Sequence, residues 1–134
     1  MKDGFNLNGL TLAYIGDAYY ELYIREYLIE SGITNVDKLH QRAIRFTSGI
    51  AQSKIITHFI DNNIINQDEI DAYKRGRNAS GPGRKNIDAK TYHQATGFES
   101  LIGYLYTNKQ FDRLTELLKQ AIEIIEKGDT HGKG

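Results

Sequence analysis

Apolar residues recur at helical spacing along almost the whole chain, and no segment alternates apolar and polar residues as a half-buried strand would. The pattern predicts six helices, over residues 10–30, 36–46, 50–63, 68–75, 88–107 and 111–127. The single proline, Pro82, lies in ASGPGRKN, the one clear irregular loop, and therefore interrupts none of these helices. We expect an all-α fold in the form of a helical bundle.

Capping residues predict where three of these helices begin. Asn8 has the short polar side chain that caps the first helix. Thr34 and Asp37 form a candidate capping box at the start of the second helix. The pair Ser48 and Gly49 is expected to separate the second helix from the third.

Composition indicates a globular domain without disulfides. Hydrophobic residues make up 40% of the 134 residues and charged residues 25%, which is typical of a chain that buries one core. The absence of cysteine excludes disulfides and thiolate metal sites, and favours a reducing, cytoplasmic location. No stretch is apolar enough for a signal peptide or a membrane span. We expect one domain over residues 1–127 and a flexible tail over residues 128–134.

Two carboxylates lie on helix faces that are otherwise mostly apolar or small. Asp17 follows Gly16, and Glu99 shares its helix with Gly97 and Gly103. A carboxylate buried on such a face is costly unless a cation or hydrogen bonds compensate for lost water. We expect the glycines to let a ligand approach the backbone closely. Antiparallel packing would then bring both acids into one oxygen-rich site suited to Mg²⁺ or Mn²⁺.

The spacing alone leaves an alternative for these acids. Asp17 and Glu99 could each accept a hydrogen bond from a loop amide or a buried tyrosine hydroxyl, with no metal involved. Spacing does not decide between this structural role and a metal site.

A basic, glycine-rich segment over residues 74–90 precedes and enters the helix that carries Glu99. It holds six basic residues against one acidic residue, in a chain whose formal net charge is zero. Such a segment suits a phosphodiester backbone, because each neutralised phosphate releases counterions. A solvated loop is the alternative. The candidate RNA-binding residues are Lys74, Arg75, Arg77, Arg84 and Lys85.

Three stretches in order resemble the ribonuclease III family. YIGDAYYE resembles the family signature, and FESLIGYLY resembles its second catalytic helix. SGPGRKNIDAKT is similar to the basic loop that leads into that helix. The segment KRGRN is typical of the short members, the Mini-III branch, which lack a double-stranded RNA-binding domain. We expect this chain to lack that domain as well.

The resemblance implies an all-α endonuclease domain that forms a homodimer. It also implies cleavage of double-stranded RNA with Mg²⁺, leaving 5′-phosphate and 3′-hydroxyl ends. Carried over by position, Asp17 and Glu99 are the catalytic acids and metal ligands, and Tyr14 is the aromatic residue that packs across the dimer interface. Resemblance to the short members further implies maturation of precursor large-subunit (23S) ribosomal RNA.

The sequence departs from the larger enzymes of the family at two acidic positions. Ala13 stands four residues before Asp17, and Thr96 stands three residues before Glu99, where the larger enzymes have acids. Water, Thr96 or Glu21 are candidates to complete a sparser metal site. Short members of the family also lack these two acids, so the departure does not indicate an inactive remnant.

Two other functions remain open on sequence grounds. One is a non-catalytic RNA-binding or ribosome-assembly module that keeps the fold without the chemistry. The other is an all-α nucleotide pyrophosphohydrolase, which holds Mg²⁺ with ExxE motifs on facing helices. The single ExxE motif here joins Glu123 and Glu126, and no second acidic motif faces it in the sequence pattern.

Overall fold

Six helices form the described part of the chain, which is residues 7–82 and 88–131 of a computed structural model. Within these ranges there is no strand, so the predicted all-α fold is confirmed. None of the described helices is long and apolar enough to cross a membrane. The helices are α1 Gly9–Glu30, α2 Val36–Thr47, α3 Gly49–Asp61, α4 Gln67–Ala79, α5 Ala89–Thr107 and α6 Phe111–His131.

Two of the predicted helix starts are confirmed by the capping hydrogen bonds. The Asn8 side chain accepts a hydrogen bond of 2.8 Å from the Thr11 backbone amide, so α1 begins where predicted. Ser48 ends α2 and also begins α3, where its hydroxyl accepts from the Ala51 amide at 3.2 Å. The chain therefore passes from α2 to α3 through a single non-helical residue.

The residue predicted to cap α2 is wrong, although the helix begins where predicted. Asn35, and not Thr34, is the N-cap, and its side chain accepts from the Lys38 amide at 3.0 Å. Asp37 lies in the first turn rather than at the end of a capping box. The physical reason is that asparagine caps at least as well as threonine and stands directly before the first helical residue.

Two helices run four residues past their predicted ends. A capping box between Asn66 and Glu69 starts α4, which runs to Ala79 instead of ending at residue 75. Gly76 does not break α4, because it lies against the β-carbon of Ser100 on α5, where a side chain would not fit. α6 runs to His131, past the predicted end at residue 127.

α5 is the central helix of the bundle. It packs against α1, α3, α4 and α6, and four of its large side chains, Phe98, Leu101, Ile102 and Leu105, are fully buried. A helix that is apolar on every side is typical of a buried core element. Glu99 is therefore a carboxylate on the most enclosed helix of the fold.

α1 and α5 cross with their backbones in contact. A β-carbon on Gly16 would lie 1.9 Å from the carbonyl oxygen of Glu99, and one on Gly103 would lie 1.9 Å from that of Leu12. Contacts that pair residue 12 with 103 and residue 16 with 99 show that the helices run in opposite directions. The predicted antiparallel packing of the two acidic helices is confirmed.

The predicted purpose of the glycines is wrong. The space beside Gly16 and Gly103 is filled by the backbone of the opposite helix, and the space beside Gly97 is filled by the ring of Tyr73. These glycines allow helices to pack closely and leave no room for a metal or phosphate at their α-carbons. The cost of a helical glycine, about 1 kcal/mol relative to alanine, is offset here by packing.

A buried ion pair ties α4 to α6. Both carboxylate oxygens of Glu69, which is 1% exposed, accept hydrogen bonds from Arg113, at 2.8 and 2.9 Å. Arg113 also donates to the backbone carbonyl of Ile64 at 2.7 Å. The pairing raises the pKa of the Arg113 guanidinium, mainly through its hydrogen bonds to Glu69. Glu69 thus serves both the cap of α4 and the attachment of α6.

Candidate active site

A cavity of about 300 Å³ lies where α1, α3 and α5 meet the junction between α2 and α3. Asp17 of α1 and Glu99 of α5 both line it, so the two predicted catalytic acids share one cavity. The lining residues are Asp17, Thr47, Gly49, Gln52, Tyr92, Ala95, Thr96 and Glu99.

The two acids differ in their contact with solvent. Glu99 is half-buried, whereas Asp17 is exposed, contrary to the expectation that it lies desolvated on a core-facing surface. On α1 the nearest core-facing residues on either side of Asp17 are Gly16 and Tyr20, and Asp17 is rotated about 100° from Gly16 around the helix axis. The Asp17 carboxylate therefore lies at the solvent side of the cavity.

The Glu99 carboxylate is contacted by an amide from α3. Gln52 is 3% exposed, and its Nε2 donates to Glu99 Oε2 at 3.5 Å and to the backbone carbonyl of Thr47 at 3.3 Å. Gln52 is not among the site residues that the sequence pattern predicts. The signal was its position, because Gln52 precedes Ile55, Ile56 and Phe59 at core spacing along α3.

The other two candidates for the metal site differ in position. Thr96 lines the cavity, and its hydroxyl donates to the backbone carbonyl of Tyr92 at 3.1 Å. Glu21 does not line the cavity, and its carboxylate lies 3.7 Å from Nε of Arg25. Of the two, only Thr96 is placed beside the acids.

The donor chemistry of the cavity fits a hard divalent cation. Its lining offers two carboxylates, the Thr47 and Thr96 hydroxyls and the Gln52 amide, all of which carry oxygen. The described residues contain no group of three or more His, Cys, Asp or Glu side chains that could hold a metal. Mg²⁺ needs no such group, since it is usually bound by one or two carboxylates together with water and phosphate oxygens.

Two arginines of the basic segment, Arg75 and Arg77, lie in different environments. The Arg75 guanidinium donates to the Leu7 carbonyl at 3.0 Å and lies 5.9 Å from the Tyr104 ring centre, so it is engaged with the start of α1 and with α5. Arg77 lies 5.4 Å from the Tyr73 ring centre, and it lines a second, open cavity together with Lys90 and His93 of α5 and others.

Of the other three candidate RNA-binding residues, only Lys74 belongs to the described part of the chain. Lys74 is exposed on α4. Arg84 and Lys85 lie outside the described residues. The structure therefore positions three of the five candidates.

Among the described residues, Tyr14 is the most exposed large apolar or aromatic side chain. It is 84% exposed, and Leu10, one turn earlier on α1, is also exposed. Tyr14 does not contribute to the core of this chain. Its predicted place in a dimer interface stays a prediction.

Comparison with known proteins identifies the family. The chain matches the Ribonuclease III domain over residues 10–110. It is 52% identical over 126 residues to Mini-ribonuclease 3 of Acholeplasma laidlawii, covering 94% of this chain and 100% of the relative. It is 45% identical over 134 residues to Mini-ribonuclease 3 of Enterococcus faecalis, covering 99% of this chain and 100% of that one.

A solved structure has a similar fold. The crystal structure of a Fusobacterium nucleatum protein has a TM-score of 0.81 and 28% identity, and the match covers 92% of this chain and 99% of that chain. The family match includes both Asp17 and Glu99. These similarities favour neither a nucleotide pyrophosphohydrolase nor a non-catalytic module. The chain therefore belongs to the ribonuclease III family, in its Mini-ribonuclease 3 branch, and is an endoribonuclease.

Proposed function

We propose that the chain is a homodimeric endoribonuclease that cuts double-stranded RNA and requires Mg²⁺, for which Mn²⁺ can substitute. The ribonuclease III family acts on double-stranded RNA, which supports the substrate class. The shared cavity of Asp17 and Glu99 is the observation that carries the metal requirement. The products carry 5′-phosphate and 3′-hydroxyl ends, and residues 1–127 form the catalytic domain.

Asp17 and Glu99 hold the cation from two different helices in this proposal. A bound Mg²⁺ supplies a water of lowered pKa and neutralises charge on the scissile phosphate. The exposed Asp17 lies on the solvent side, where a duplex can reach it, and the half-buried Glu99 is fixed by the central helix. Thr96 would offer a further hydroxyl oxygen at the same cavity, and water or phosphate oxygens would have to supply the other ligands. No protein nucleophile is required.

The RNA is held by its shape and its phosphates. Side chains cannot read the narrow major groove of an A-form helix, so contacts to the phosphates provide most of the attraction. Lys74 and Arg77 on α4, together with Arg84 and Lys85, supply most of the positive charge, and Arg75, which is engaged with Leu7 and Tyr104, supplies less. Two-fold symmetry in the homodimer presents one cavity to each strand.

Cleavage of a labelled RNA duplex by wild type and by Asp17→Asn tests the catalytic proposal. We expect Mg²⁺-dependent cutting by wild type and a loss of at least 100-fold in Asp17→Asn, since the variant keeps the size of the side chain but removes its charge. Duplex binding without metal should be unchanged. Tight binding without cutting by wild type would overturn the proposal.

The homodimer is tested by sedimentation of wild type and of Tyr14→Arg. Wild type should sediment as a dimer, and the variant should be monomeric at the same concentration, because Tyr14 is exposed in the single chain. Val36→Arg, at an exposed apolar residue of α2, is the matched control and should remain dimeric. A monomeric wild type would contradict the homodimer.

Precursor large-subunit ribosomal RNA in the cytoplasm is the proposed natural substrate. Resemblance to the short family members supports it. The 5′ and 3′ ends of this RNA should be mapped in cells whose sole copy of the enzyme carries Asp17→Asn. Extended ends are expected, and mature ends would remove this RNA as the substrate.

A further inference from the structure

We infer that Gln52 is a positioning residue of the metal site, which holds the Glu99 carboxylate in the orientation that accepts the cation. This inference rests on the proposed metal-dependent function. Gln52 would not touch the reacting atoms itself. Its amide joins α3 to the acid on α5 and to the end of α2.

The position of Gln52 in α3 is unusual for a polar residue. The inward face of this helix is formed by Ala51, Ile55, Ile56 and Phe59, and Gln52 is buried among the same set. Burying an amide is costly unless it is hydrogen-bonded, and an apolar residue would pack at this position without that cost. A requirement for the amide explains why a polar residue occupies a core position.

The hydrogen bonds of Gln52 are directed to one side of the amide. Gln52 forms two hydrogen bonds with described residues. Nε2 is the donor in both, one to Glu99 and one to the Thr47 carbonyl. No buried side-chain nitrogen or oxygen in the described part of the chain lacks a partner, so Oε1 keeps contact with solvent.

Holding Glu99 matters more in this site than in one with many acids. Two carboxylates line the cavity, so each contributes a large share of the cation affinity. A glutamate that is free to rotate must lose side-chain entropy when the ion binds, whereas one that is already hydrogen-bonded loses less. Residues that orient metal ligands typically change metal affinity by about 10- to 100-fold when they are replaced.

Gln52→Met tests the inference, because methionine has nearly the same size and shape but cannot donate to Glu99. Mn²⁺ binding to the RNA-free protein, followed by electron paramagnetic resonance, should weaken by about 10-fold. The Mg²⁺ concentration for half-maximal cleavage should rise by a similar factor, and duplex binding without metal should stay unchanged. Gln52→Asn, whose amide is one methylene shorter, should show the same effects and serves if Gln52→Met does not fold.

Ser53→Ala is the matched control on the same helix. The Ser53 hydroxyl donates to Gln94 Oε1 and so also links α3 to α5, but Ser53 does not line the cavity. It should lower the melting temperature slightly and leave Mn²⁺ affinity unchanged. If Gln52→Met behaves in the same way, Gln52 is structural and the inference is overturned. If wild type binds no Mn²⁺ and cuts no RNA, the proposed function itself has failed.

Discussion

Gly16 of α1 lies directly against the backbone carbonyl of Glu99 on α5, so close that a β-carbon would stand 1.9 Å from its oxygen. Asp17 is the next residue along α1. The contact that seats α1 on α5 therefore also sets the separation of the two acids. Stability and site geometry depend on the same pair of residues.

Gly16→Ala should destabilise the fold and lower activity together. The added methyl group overlaps backbone, which cannot rotate away, so α1 must shift outward and carry Asp17 with it. We expect a net loss of about 2 kcal/mol or more, since overpacking outweighs the gain in helix propensity. Urea unfolding and duplex cleavage measure the two effects.

Gly128→Ala is the control for this prediction. Gly128 is also helical, but its β-carbon would meet only the flexible end of Lys54, which can move. The variant should be neutral or more stable by up to about 1 kcal/mol. Equal stability of Gly16→Ala and wild type would show that the crossing tolerates a wider separation.

Glu69→Gln should be strongly destabilising. The substitution leaves Arg113, which is partly buried, without its buried carboxylate partner, and it weakens the capping box of α4. We expect a loss of about 2–3 kcal/mol in the free energy of unfolding, below the range for fully buried pairs because Arg113 keeps some solvent contact.

Glu116→Gln provides the comparison on the same arginine. Glu116 also pairs with Arg113, but its side chain is largely exposed, so the change should cost less than about 0.5 kcal/mol. Urea unfolding of both variants measures the difference. Similar losses from both would contradict the central role of Glu69.

The Tyr27 hydroxyl, which joins α1 to α6, predicts a pH-dependent contribution to stability. It donates to Glu126 Oε2 at 2.6 Å, and this hydrogen bond is the main reason that its pKa is raised to about 12. Because the folded pKa lies above the ordinary value of 10.0, the stabilisation is complete below pH 10 and is lost as the pH rises toward 12.

Tyr27→Phe isolates this contribution. The variant should be less stable than wild type by about 0.5–1 kcal/mol at pH 8, and the gap should close between about pH 10 and 12. Phenylalanine keeps the edge-to-face contact of the ring with Phe46. Unfolding by urea at several pH values measures the gap, and a gap that is constant through pH 11.5 would exclude the hydrogen bond as its source.

Arg77→Ala and Arg75→Ala should separate RNA binding from stability. Arg77 lines the open cavity with Lys90 and His93, so its loss should weaken duplex binding and reduce the salt dependence by about one ion. Arg75 is engaged with Leu7 and Tyr104, so Arg75→Ala should mainly lower the melting temperature. Filter binding in EDTA at several salt concentrations measures both variants. A larger loss of duplex binding in Arg75→Ala than in Arg77→Ala would contradict the assignment.

The fold class and the placing of the two acids in one cavity could be predicted from sequence because both depend on local pattern. Helical periodicity is visible along the chain, and Asp17 and Glu99 stand within recognisable motifs. Gly16 and Gly103 were assigned the wrong purpose, because a glycine in a sequence does not show whether a ligand or another helix lies beside it. That distinction needs the packing of α1 on α5.

Gln52 and the full length of α4 depend on contacts between distant residues. Nothing near Gln52 in sequence indicates that Glu99 lies within reach, although a polar residue at a core position could have raised the question. The KRGRN stretch is charged and contains Gly76, which favours a loop by composition. It is helical because α5 packs against that glycine. Tertiary packing overrides local propensity in both cases.

The pairing of Glu69 with Arg113 has a consequence for biosynthesis. Glu69 is synthesised 44 residues before Arg113. When α4 first emerges from the ribosome, Arg113 is therefore not yet available to pair with the Glu69 carboxylate. The bundle can close around Glu69 only after the beginning of α6 has left the exit tunnel. α6 thus completes the pairing of Glu69, and the bundle should reach its folded form only once α6 is available to pack.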